Sequence, residues 1–401
     1  MLKRLMILGG TRYIMPVIKA AHELGCYVIT CDYLPNNYAH KYADEYCNVS
    51  ILDKEATLKA AEKLKIDGIT SFACDPGVVT AAYVADRLGI PSVGPYESVR
   101  ILQNKGLFRK FLTDNGFNVP VSGSYTNPEE ALAEAEKFHW PVIVKPTDSA
   151  GSRGVQKVDA PEGLREAAEY ALSCSRGAGD FIIEDFIQQR GFSSDTDSFS
   201  VDGVMKFVSF NSQRFDRGAK NPYTPAAYSW PSSMTQENQN HLASELQRLV
   251  TLLNMGTTIY NIETREDMNG TPYIMECSPR GGGNRLAEVL EMATGLPLIE
   301  GVVRGAIGLP VEGIEQRPFR GCWAEVILHS DIPGVFESLW VDEEVEHAVV
   351  ERSLWVEPGK KIGGFSSAGE SIGQLILNFP NEAELNRVMN DIKRYVKVKV
   401  S

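Results

Sequence analysis

Residues 257–278 read TTIYNIETREDMNGTPYIMECS, and this stretch predicts two strands joined by a tight turn. Apolar and polar residues alternate on both sides of Asn269-Gly270, a dipeptide typical of two-residue hairpin turns. If these two residues form the turn, Glu263 lies directly opposite Glu276. Because side chains alternate between the two faces of a strand, both carboxylates then project from the same face of the hairpin.

Two like charges that face each other across a sheet destabilise it unless something neutralises them. A divalent cation would do so, since carboxylates together with phosphate oxygens are the ligands that Mg²⁺ prefers. Alternatively, Glu263 and Glu276 lie on an exposed face and pair with Arg265 or Arg280. A three-residue turn would shift the register by one residue and separate the carboxylates, so the metal interpretation depends on the turn.

Upstream of the hairpin, the first ninety or so residues alternate between strand and helix patterns, which predicts a doubly wound parallel sheet. A glycine turn at Gly9-Gly10 follows the first strand, and Asp32 ends the second. The turn lacks the G-x-G-x-x-G spacing of dinucleotide sites, so a nicotinamide dehydrogenase is disfavoured. We predict strands over residues 4–8, 26–32, 67–73 and 90–94.

Length, charge and cysteine usage narrow the class of protein further. A chain of 401 residues predicts two to three domains. Forty Lys and Arg against fifty-two Asp and Glu give a net charge of −12, which argues against a nucleic-acid partner. An apolar run of about 20 residues, as a membrane span needs, is not found in the sequence. The seven cysteines form no C-x-x-C pair, so we expect reduced thiols and a cytoplasmic location.

Taken in order, six segments resemble the motifs of the ATP-grasp superfamily over roughly residues 1–310. Among its members the chain is most similar to amino-acid ligases, other carboxylate–amine ligases and single-copy relatives of the carbamoyl-phosphate synthase large chain. The segments are Asn104-Lys105 before a helix, PVIVKP ending at Lys145-Pro146, the small-residue loop 149–155, IIEDFI at 182–187, NIE ending at Glu263, and MECSPR at 275–280.

The resemblance implies an α/β and α+β architecture of three parts. Residues 1–95 would form the N-terminal doubly wound parallel sheet domain. Residues 96–309 would form an ATP-grasp domain of two α+β subdomains, with a lid subdomain at about 121–187. Short strands and Gly/Pro turns after about residue 310 predict a small C-terminal α+β domain over residues 310–401.

The resemblance also assigns cofactors and site residues. ATP and two Mg²⁺ ions are expected, with Mn²⁺ as a substitute. Lys145 and Arg280 would act on the transferred phosphoryl group, where a guanidinium suits the developing charge. Three further groups follow from the family: metal ligands Glu263, Glu276 and Ser278; substrate contacts Asp75, Gly282 and Arg285; and nucleotide contacts Lys105, Lys145, Ser149, Gly151, Ser152, Gly154, Val155, Glu184, Asp185, Phe186, Ile187, and Asp195 or Asp197 for the ribose.

Two positions depart from the family pattern. Members usually carry Asn where this chain has Ser278, and a hydroxyl is a shorter and poorer metal ligand. The acid that contacts the ribose is out of register, which leaves Asp195 and Asp197 as substitutes. Neither departure removes the residues that would bind phosphate.

The activity implied is an ATP-dependent ligase that activates a small-molecule carboxylate as an acyl-phosphate and joins it to an amine. One alternative is an enzyme that activates bicarbonate or formate, or one resembling carbamoyl-phosphate synthase, although that enzyme has a duplicated chain. Another is an ATP-binding sensor or assembly subunit with little turnover, for which Ser278 is the only hint. We expect no nucleic-acid or membrane partner, and a homodimer is the default assembly for a soluble enzyme.

Overall fold

The computed structural model describes residues 2–149 and 153–401. The N-terminal part is a parallel sheet of order β3-β2-β1-β4. Side chains of its first strand alternate between two hydrophobic cores. Leu5 and Ile7 pack with the first helix, whereas Met6 and Leu8 pack on the other face with the second and third helices. Helices therefore cover both faces of the sheet. The elements are β1 (Arg4–Leu8), α1 (Met15–Glu23), β2 (Tyr27–Cys31), β3 (Glu45–Cys47), α2 (Lys54–Leu64), β4 (Gly68–Ser71) and α3 (Asp75–Leu88).

The doubly wound parallel sheet predicted for this part is confirmed, but one of its strands is not where the sequence placed it. Residues 90–94 form no strand; Val93 only accepts a hydrogen bond from the N–H of Gly256. The fourth strand is β3, which pairs parallel to β2. Its three residues, Glu-Tyr-Cys, are too few to show an alternating pattern, whereas the apolar residues at 90–94 mimic one.

Two helices lead from the N-terminal sheet into a small antiparallel sheet of order β5-β8-β6-β7, where the lid subdomain was predicted. The lid has a core of its own, built around Val142, Val144, Phe181 and Ile183. The elements are α4 (Tyr96–Gln103), α5 (Lys105–Asp114), β5 (Ser122–Tyr125), α6 (Pro128–Ala133), β6 (Val142–Pro146), β7 (Gln156–Val158), α7 (Leu164–Cys174) and β8 (Phe181–Asp185).

The central sheet is antiparallel, of order β10-β9-β13-β14, and contains the predicted hairpin. Helix α8 packs against its outer strands, and α9 and α10 follow the hairpin. The elements are β9 (Ser194–Val201), β10 (Val204–Phe207), β11 (Ser212–Phe215), β12 (Pro225–Trp230), α8 (Gln236–Leu252), β13 (Thr258–Glu266), β14 (Pro272–Ser278), α9 (Leu286–Thr294) and α10 (Leu298–Ala306).

A five-stranded sheet of order β11-β12-β15-β19-β17 joins strands from both sides of residue 310. Strands β11 and β12 lie in a stretch rich in Pro, Ser and Asn, a composition that predicts a loop. A smaller sheet has the order β18-β16-β20. The boundary at residue 310 stays a prediction. The elements are β15 (Cys322–Leu328), β16 (Gly334–Val341), α11 (Glu343–Glu346), β17 (Val349–Leu354), β18 (Lys361–Ile362), β19 (Gly373–Phe379), α12 (Glu382–Met389), α13 (Ile392–Tyr395) and β20 (Val396–Val400).

The fold class predicted from the sequence, α/β combined with α+β, is confirmed. Throughout residues 2–149 and 153–401, none of the helices combines the length and the apolar composition that a bilayer crossing requires. The lid, the central hairpin, α5 and the start of α3 converge on one region, where Lys145, Glu276, Lys105 and Asp75 lie close together.

Candidate active site

Two glutamates face each other across the hairpin of the central sheet. Strands β13 and β14 pair antiparallel, with Glu263 opposite Glu276 and Asn261 opposite Ser278. Along β13 the half-buried residues alternate with buried ones, and Glu263 belongs to the half-buried set. The register predicted at these two pairs is therefore confirmed.

The turn between these strands differs from the predicted one. The N–H of Asp267 donates to the carbonyl of Thr271 (3.0 Å), so the loop has three residues, 268–270, and its last residue, Gly270, has φ of +84°. This loop shifts the register by one residue, but a β-bulge at Met275 shifts it back. The predicted two-residue turn is wrong, and the glutamates remain opposed because the two offsets cancel.

Each opposed glutamate has a cationic partner. Glu263 Oε1 accepts a hydrogen bond from Arg265 (3.0 Å), and Glu276 Oε1 lies 3.4 Å from Lys105 Nζ. Burial favours the neutral form of Glu276, but the charges of Lys105 and Lys145 outweigh it and lower the pKa of this carboxyl. Two adjacent ionised carboxylates are hard oxygen ligands, so this pair fits a Mg²⁺ ion by its chemistry.

Lys145, at the end of strand β6, is held by a buried carboxylate. Its Nζ lies 2.7 Å from Glu184 Oε2, and Arg109 Nε lies 2.6 Å from Glu184 Oε1. Burial alone would raise the pKa of Glu184, but Arg109 and Lys145 reverse this effect and lower it to about 2. An ammonium has three N–H donors, so Lys145 can bind Glu184 and still donate to phosphate oxygens.

Arg109 is a buried site residue that the sequence analysis did not identify. Its two terminal nitrogens donate to the carbonyls of Ile274 (3.3 Å) and Met275 (2.9 Å), the residues at the β-bulge. Arg109 therefore holds the bulge that sets the position of Glu276. The signal available in the sequence was its position four residues after Lys105, which places both on one face of a helix.

Lys105 begins helix α5, and its position is set by the helix cap. The side chain of Asn104 accepts a hydrogen bond from the N–H of Leu107 (2.9 Å), which fixes the first turn. Lys105 Nζ donates to the carbonyl of Ser149 (2.8 Å) in the predicted lid loop. The helix start and the lid loop thus bring an ammonium to the carboxylate of Glu276.

The lid loop is described only in part. Ser149 is buried, whereas the predicted contacts Gly151 and Ser152 lie outside the described residues. Gly154 has φ of +79°, and a Cβ added there would lie 2.7 Å from side-chain atoms of Cys174 and Pro146, so only glycine fits.

Gly154 and Val155 line a cleft of about 900 Å³ between the lid and the five-stranded sheet. Lys157 and Lys220 line it too, but so do Asp159, Glu162 and Glu166, and the cleft is therefore of mixed charge. The nucleotide-binding role of the loop stays a prediction.

The predicted adenine hinge leaves the lid sheet at the end of β8. Asp185 accepts hydrogen bonds from the backbone N–H and the ring Nδ1 of His139 (2.9 and 2.7 Å). The N–H of Phe186 donates to the carbonyl of Pro141, and the Lys157 ammonium lies 5.3 Å from the Phe186 ring centre. Ile187 is buried. These contacts order the segment, and its adenine contacts stay a prediction.

A second ionic cluster joins the end of β14 to the start of α3. Arg280 Nη2 lies 2.6 Å from Asp75 Oδ1, and Ser278 Oγ donates to the same oxygen (3.0 Å). Ser278 Oγ also accepts from Gln103 Nε2 (2.6 Å), a contact that the sequence analysis missed. With its hydroxyl used on both sides, Ser278 is better suited to orient Asp75 than to bind a metal ion.

Asp195 and Asp197 lie beside Asn261 and not beside the hinge. Asn261 Nδ2 lies 2.8 Å from Asp195 and 3.2 Å from Asp197, and Asp197 accepts the N–H of Gly282 (2.8 Å). Burial raises the pKa of both carboxyls to about 7, and the Glu263 charge adds to the effect at Asp195. The ribose contact assigned to them stays a prediction.

Arg285, assigned to the substrate, has two carboxylate partners in the structure. It lies 2.6 Å from Glu351 of β17 and 2.9 Å from Glu288 of α9. Its backbone has φ of +60°, an unusual conformation for a residue other than glycine, which directs the chain from the Gly281–Gly283 run into α9. Its guanidinium links the central domain to the five-stranded sheet.

A family model of the ATP-grasp domain matches residues 138–288. The formate-dependent phosphoribosylglycinamide formyltransferase of Parasynechococcus marenigrum (strain WH8102) is 23% identical over 397 residues, which cover 96% of this chain and 98% of the relative. The matched family region includes the hinge, both opposed glutamates and Arg280.

Two solved structures share the fold over the whole chain. The L-amino acid ligase from Bacillus licheniformis superposes with a TM-score of 0.80 at 22% identity, covering 100% of this chain and 99% of the ligase. The phosphoribosylglycinamide synthetase from Anaerococcus prevotii superposes with a TM-score of 0.77 at 20% identity and covers 100% of both chains. The sequence motifs, the family match and the fold agree, and residues 138–288 match the ATP-grasp domain that the motifs predicted.

Proposed function

We propose that this protein is an ATP-dependent ligase that activates a carboxylate as an acyl-phosphate and joins it to an amine. The observation that carries the proposal is that two cations and two opposed carboxylates lie close together. Lys105 contacts Glu276, Lys145 lowers the pKa of the same carboxyl, and Glu263 lies opposite. Magnesium nucleotide requires this combination, because phosphates need cations and the metal needs carboxylates.

The residues present fit a Mg²⁺ ion as well as the nucleotide. Glu263 and Glu276 would hold the metal, which would neutralise charge on the phosphates. A second ion and the use of Mn²⁺ remain part of the proposal. Lys105 and Lys145 would bind phosphate oxygens, and the lid would close over them to keep water from a reactive acyl-phosphate.

The proposed reaction has two balanced steps. A carboxylate oxygen attacks the γ-phosphorus of ATP, the bond to the β,γ-bridging oxygen breaks, and ADP leaves. The nitrogen of a neutral amine then attacks the acyl carbon, the carbon–oxygen bond to phosphate breaks, and the nitrogen loses one proton. No covalent protein intermediate is needed, so the site acts by positioning and charge neutralisation.

Arg280 is placed to stabilise charge on the phosphoryl group during transfer. Asp75 and Asn261 hold its guanidinium at 2.6–2.8 and 3.1 Å respectively, which orients it before any substrate binds. A guanidinium stays charged at all physiological pH values and offers several donors in one plane. Asp75 therefore acts on this reaction as a positioning residue.

Activation of formate is the second candidate function. It is favoured by the relative from Parasynechococcus marenigrum, which is named as formate-dependent and is matched over nearly its whole length. An amino acid is the alternative carboxylate, as the structural match to an L-amino acid ligase suggests. The cytoplasmic location and a homodimer stay predictions.

A release assay tests the function directly. The purified protein is incubated with MgATP, hydroxylamine and one carboxylate at a time, namely formate, bicarbonate or each standard amino acid. Hydroxylamine traps an acyl-phosphate as a hydroxamate, so the proposal expects ADP and hydroxamate to appear together with at least one acid. ADP release without hydroxamate, or neither product with any acid, would contradict it, and the latter would favour the sensor alternative.

Two variants locate the activity in the site. Glu276→Gln should abolish ADP formation while the melting temperature stays near that of wild type, because the residue is half exposed. The matched control is Glu237→Gln, which changes an exposed glutamate of α8 and should leave turnover unchanged. Normal turnover in Glu276→Gln would remove Glu276 from the site.

A further inference from the structure

One face of the five-stranded sheet presents polar side chains to the active site. The register places Tyr228, Glu325, Ile376 and Glu351 in a single row across β12, β15, β19 and β17. The two ends of the row are hydrogen-bonded: Tyr228 donates to Asp195 (3.2 Å), and Glu351 accepts from Arg285 (2.6 Å). Glu325 lies next to Tyr228 in this row, and Ile376 of β19 separates it from Glu351.

Glu325 and its neighbour Gln374 on β19 are completely buried, at 0% exposure. Within the described part of the chain, neither oxygen of Glu325 and neither the nitrogen nor the oxygen of the Gln374 amide has a hydrogen-bond partner. A buried polar group without a partner costs about 1–3 kcal/mol. Folded proteins retain few such groups, and a pair on adjacent strands calls for a bonding partner from outside the chain.

The two side chains can converge on one small group. Gln374 lies opposite Ile327, two residues along β15 from Glu325, so both project from the same face as diagonal neighbours. Diagonal neighbours on adjacent strands are about 7–8 Å apart at the backbone, which long side chains can span from both sides.

The neighbours on β17 are less buried than this pair. Ser353, which lies opposite Gln374, and Glu351 are only half buried. Outside the strand, Tyr13 and Trp355 are half buried as well, and their rings meet edge to face at 5.8 Å. Glu325 and Gln374 therefore form a buried floor, and the half-buried rim on the β17 side is the direction from which a ligand reaches them.

The charge around Glu325 indicates what kind of group is missing. Arg285, the cation whose charge acts on Glu325, is already bound by Glu288 and Glu351. Burial raises the pKa of Glu325 well above its ordinary value, and Arg285 only partly opposes it. A group that supplies both positive charge and N–H donors would satisfy Glu325 and the amide oxygen of Gln374 together. An anion would not.

The row is also connected to the proposed reaction centre. Tyr228 binds Asp195, Asn261 donates to Asp195 (2.8 Å), and Arg280 donates to Asn261 (3.1 Å). A continuous chain of hydrogen bonds thus runs from the neighbour of Glu325 to the arginine assigned to the transferred phosphoryl group.

We propose that Glu325 and Gln374 form a subsite that binds the amine substrate as a primary ammonium ion. Transfer of one proton from this ammonium to the Glu325 carboxylate gives the neutral amine that attacks the acyl carbon. The inference rests on the proposed ligase function, in which an amine must be held beside the acyl-phosphate. The Glu325 carboxylate and the Gln374 amide oxygen accept the N–H donors of the ammonium group, and the Gln374 amide nitrogen is left to donate to an acceptor elsewhere on the substrate.

A melting experiment tests the subsite without turnover. The probe is methylammonium chloride, and tetramethylammonium chloride at equal ionic strength is its control, since it has the same charge but no N–H. We expect a higher wild-type melting temperature in methylammonium, and no difference between the salts for Glu325→Met or Gln374→Met. Glu337→Gln, an exposed change on β16, should keep the wild-type difference. Equal melting of wild type in both salts would overturn the proposal.

A second measurement guards against misfolding of the variants. Because Glu325 is unsatisfied in the free protein, Glu325→Met should raise the melting temperature in buffer alone. If the methionine variant fails to fold, Glu325→Gln keeps the shape and removes the charge, and the same salt comparison applies to it. A lower melting temperature together with a retained methylammonium effect would mean that Glu325 is structural, and the proposal would fail.

Kinetics separate this inference from the function on which it rests. With the amine replaced by hydroxylamine, wild-type hydroxamate formation reports on acyl-phosphate alone. For an amine that wild type accepts in the screen, Glu325→Gln should raise KM at least tenfold while the KM for ATP changes less than twofold. Absence of hydroxamate in wild type refutes the function; normal hydroxamate with an unchanged amine KM in Glu325→Gln refutes only the subsite.

Discussion

Replacing Arg109 with methionine should lower the free energy of unfolding by about 3 kcal/mol. The pKa of Glu184, about 2 instead of 4.5, corresponds to about 3 kcal/mol of favourable interaction with Arg109 and Lys145. Lys145 remains in the variant and keeps part of this energy. The carbonyls of Ile274 and Met275 each lose a charged donor, which adds about 1 kcal/mol apiece. Loss of one partner from a buried ion pair typically costs about 3–5 kcal/mol.

Urea unfolding at pH 7 measures this loss of unfolding free energy, and a double-mutant cycle shows how much of it comes from the pairing of Arg109 with Glu184. Glu184→Gln removes the charge that Arg109 neutralises, so Arg109→Met should cost at least 1 kcal/mol less in that background. The control is Arg100→Met, which breaks an exposed pair with Glu97 and should cost no more than about 1 kcal/mol.

The pH dependence of the same loss has a definite sign. The folded-state pKa of Glu184 is lowered, so its stabilisation is fully present above pH 4.5 and is lost as the pH falls towards 2. The difference between wild type and Arg109→Met should therefore shrink over that interval. A difference below about 1 kcal/mol at pH 7, or one that does not change between pH 5 and pH 3, would refute the reasoning.

Two further changes test the phosphate-binding region. Gly154→Ala should lower the melting temperature more than Gly179→Ala. Both glycines have positive φ (+79° and +70°), but only the methyl group at position 154 would collide with Cys174 and Pro146. Equal effects of the two substitutions would mean that the lid relaxes around the added methyl group. Lys145→Met should weaken ATP binding at least tenfold, as measured by calorimetry. The control is Lys59→Met, which changes an exposed residue of α2 and should leave the affinity unchanged. An unchanged affinity for ATP in Lys145→Met would remove Lys145 from the phosphate site.

The parts of the fold that the sequence predicted well are those built from local pattern. The pattern of apolar residues predicts helices over 77–88 and 236–253, and α3 and α8 lie within one or two residues of these bounds. Strands β11 and β12 were missed because their serines and glutamine read as a loop. Strand β12 pairs with β15, about a hundred residues later, and β11 pairs with β12, so this long-range pairing overrides local composition.

In the candidate site too, the sequence predicted some residues and missed others. Lys105, Lys145 and the opposed glutamates stand at motif positions, so chemistry and spacing were enough to find them. Gln103 and Arg109 carry no motif of their own. Their roles depend on which groups the fold buries beside them, Ser278 in one case and Glu184 in the other. One sequence cannot reveal such partners, because burial is a property of the assembled chain.

The opposed glutamates were predicted through a turn that does not exist, and the reason they remain opposed is physical. A three-residue loop moves Glu276 out of register with Glu263, and the bulge at Met275 moves it back. Arg109 binds the carbonyl of Met275, and the same guanidinium binds Glu184, which in turn holds Lys145. One buried arginine therefore connects the metal-binding pair to the phosphate-binding lysine. If this connection is correct, Arg109→Met should impair ADP formation even at temperatures where the variant is fully folded, whereas a purely structural arginine would leave the folded fraction fully active.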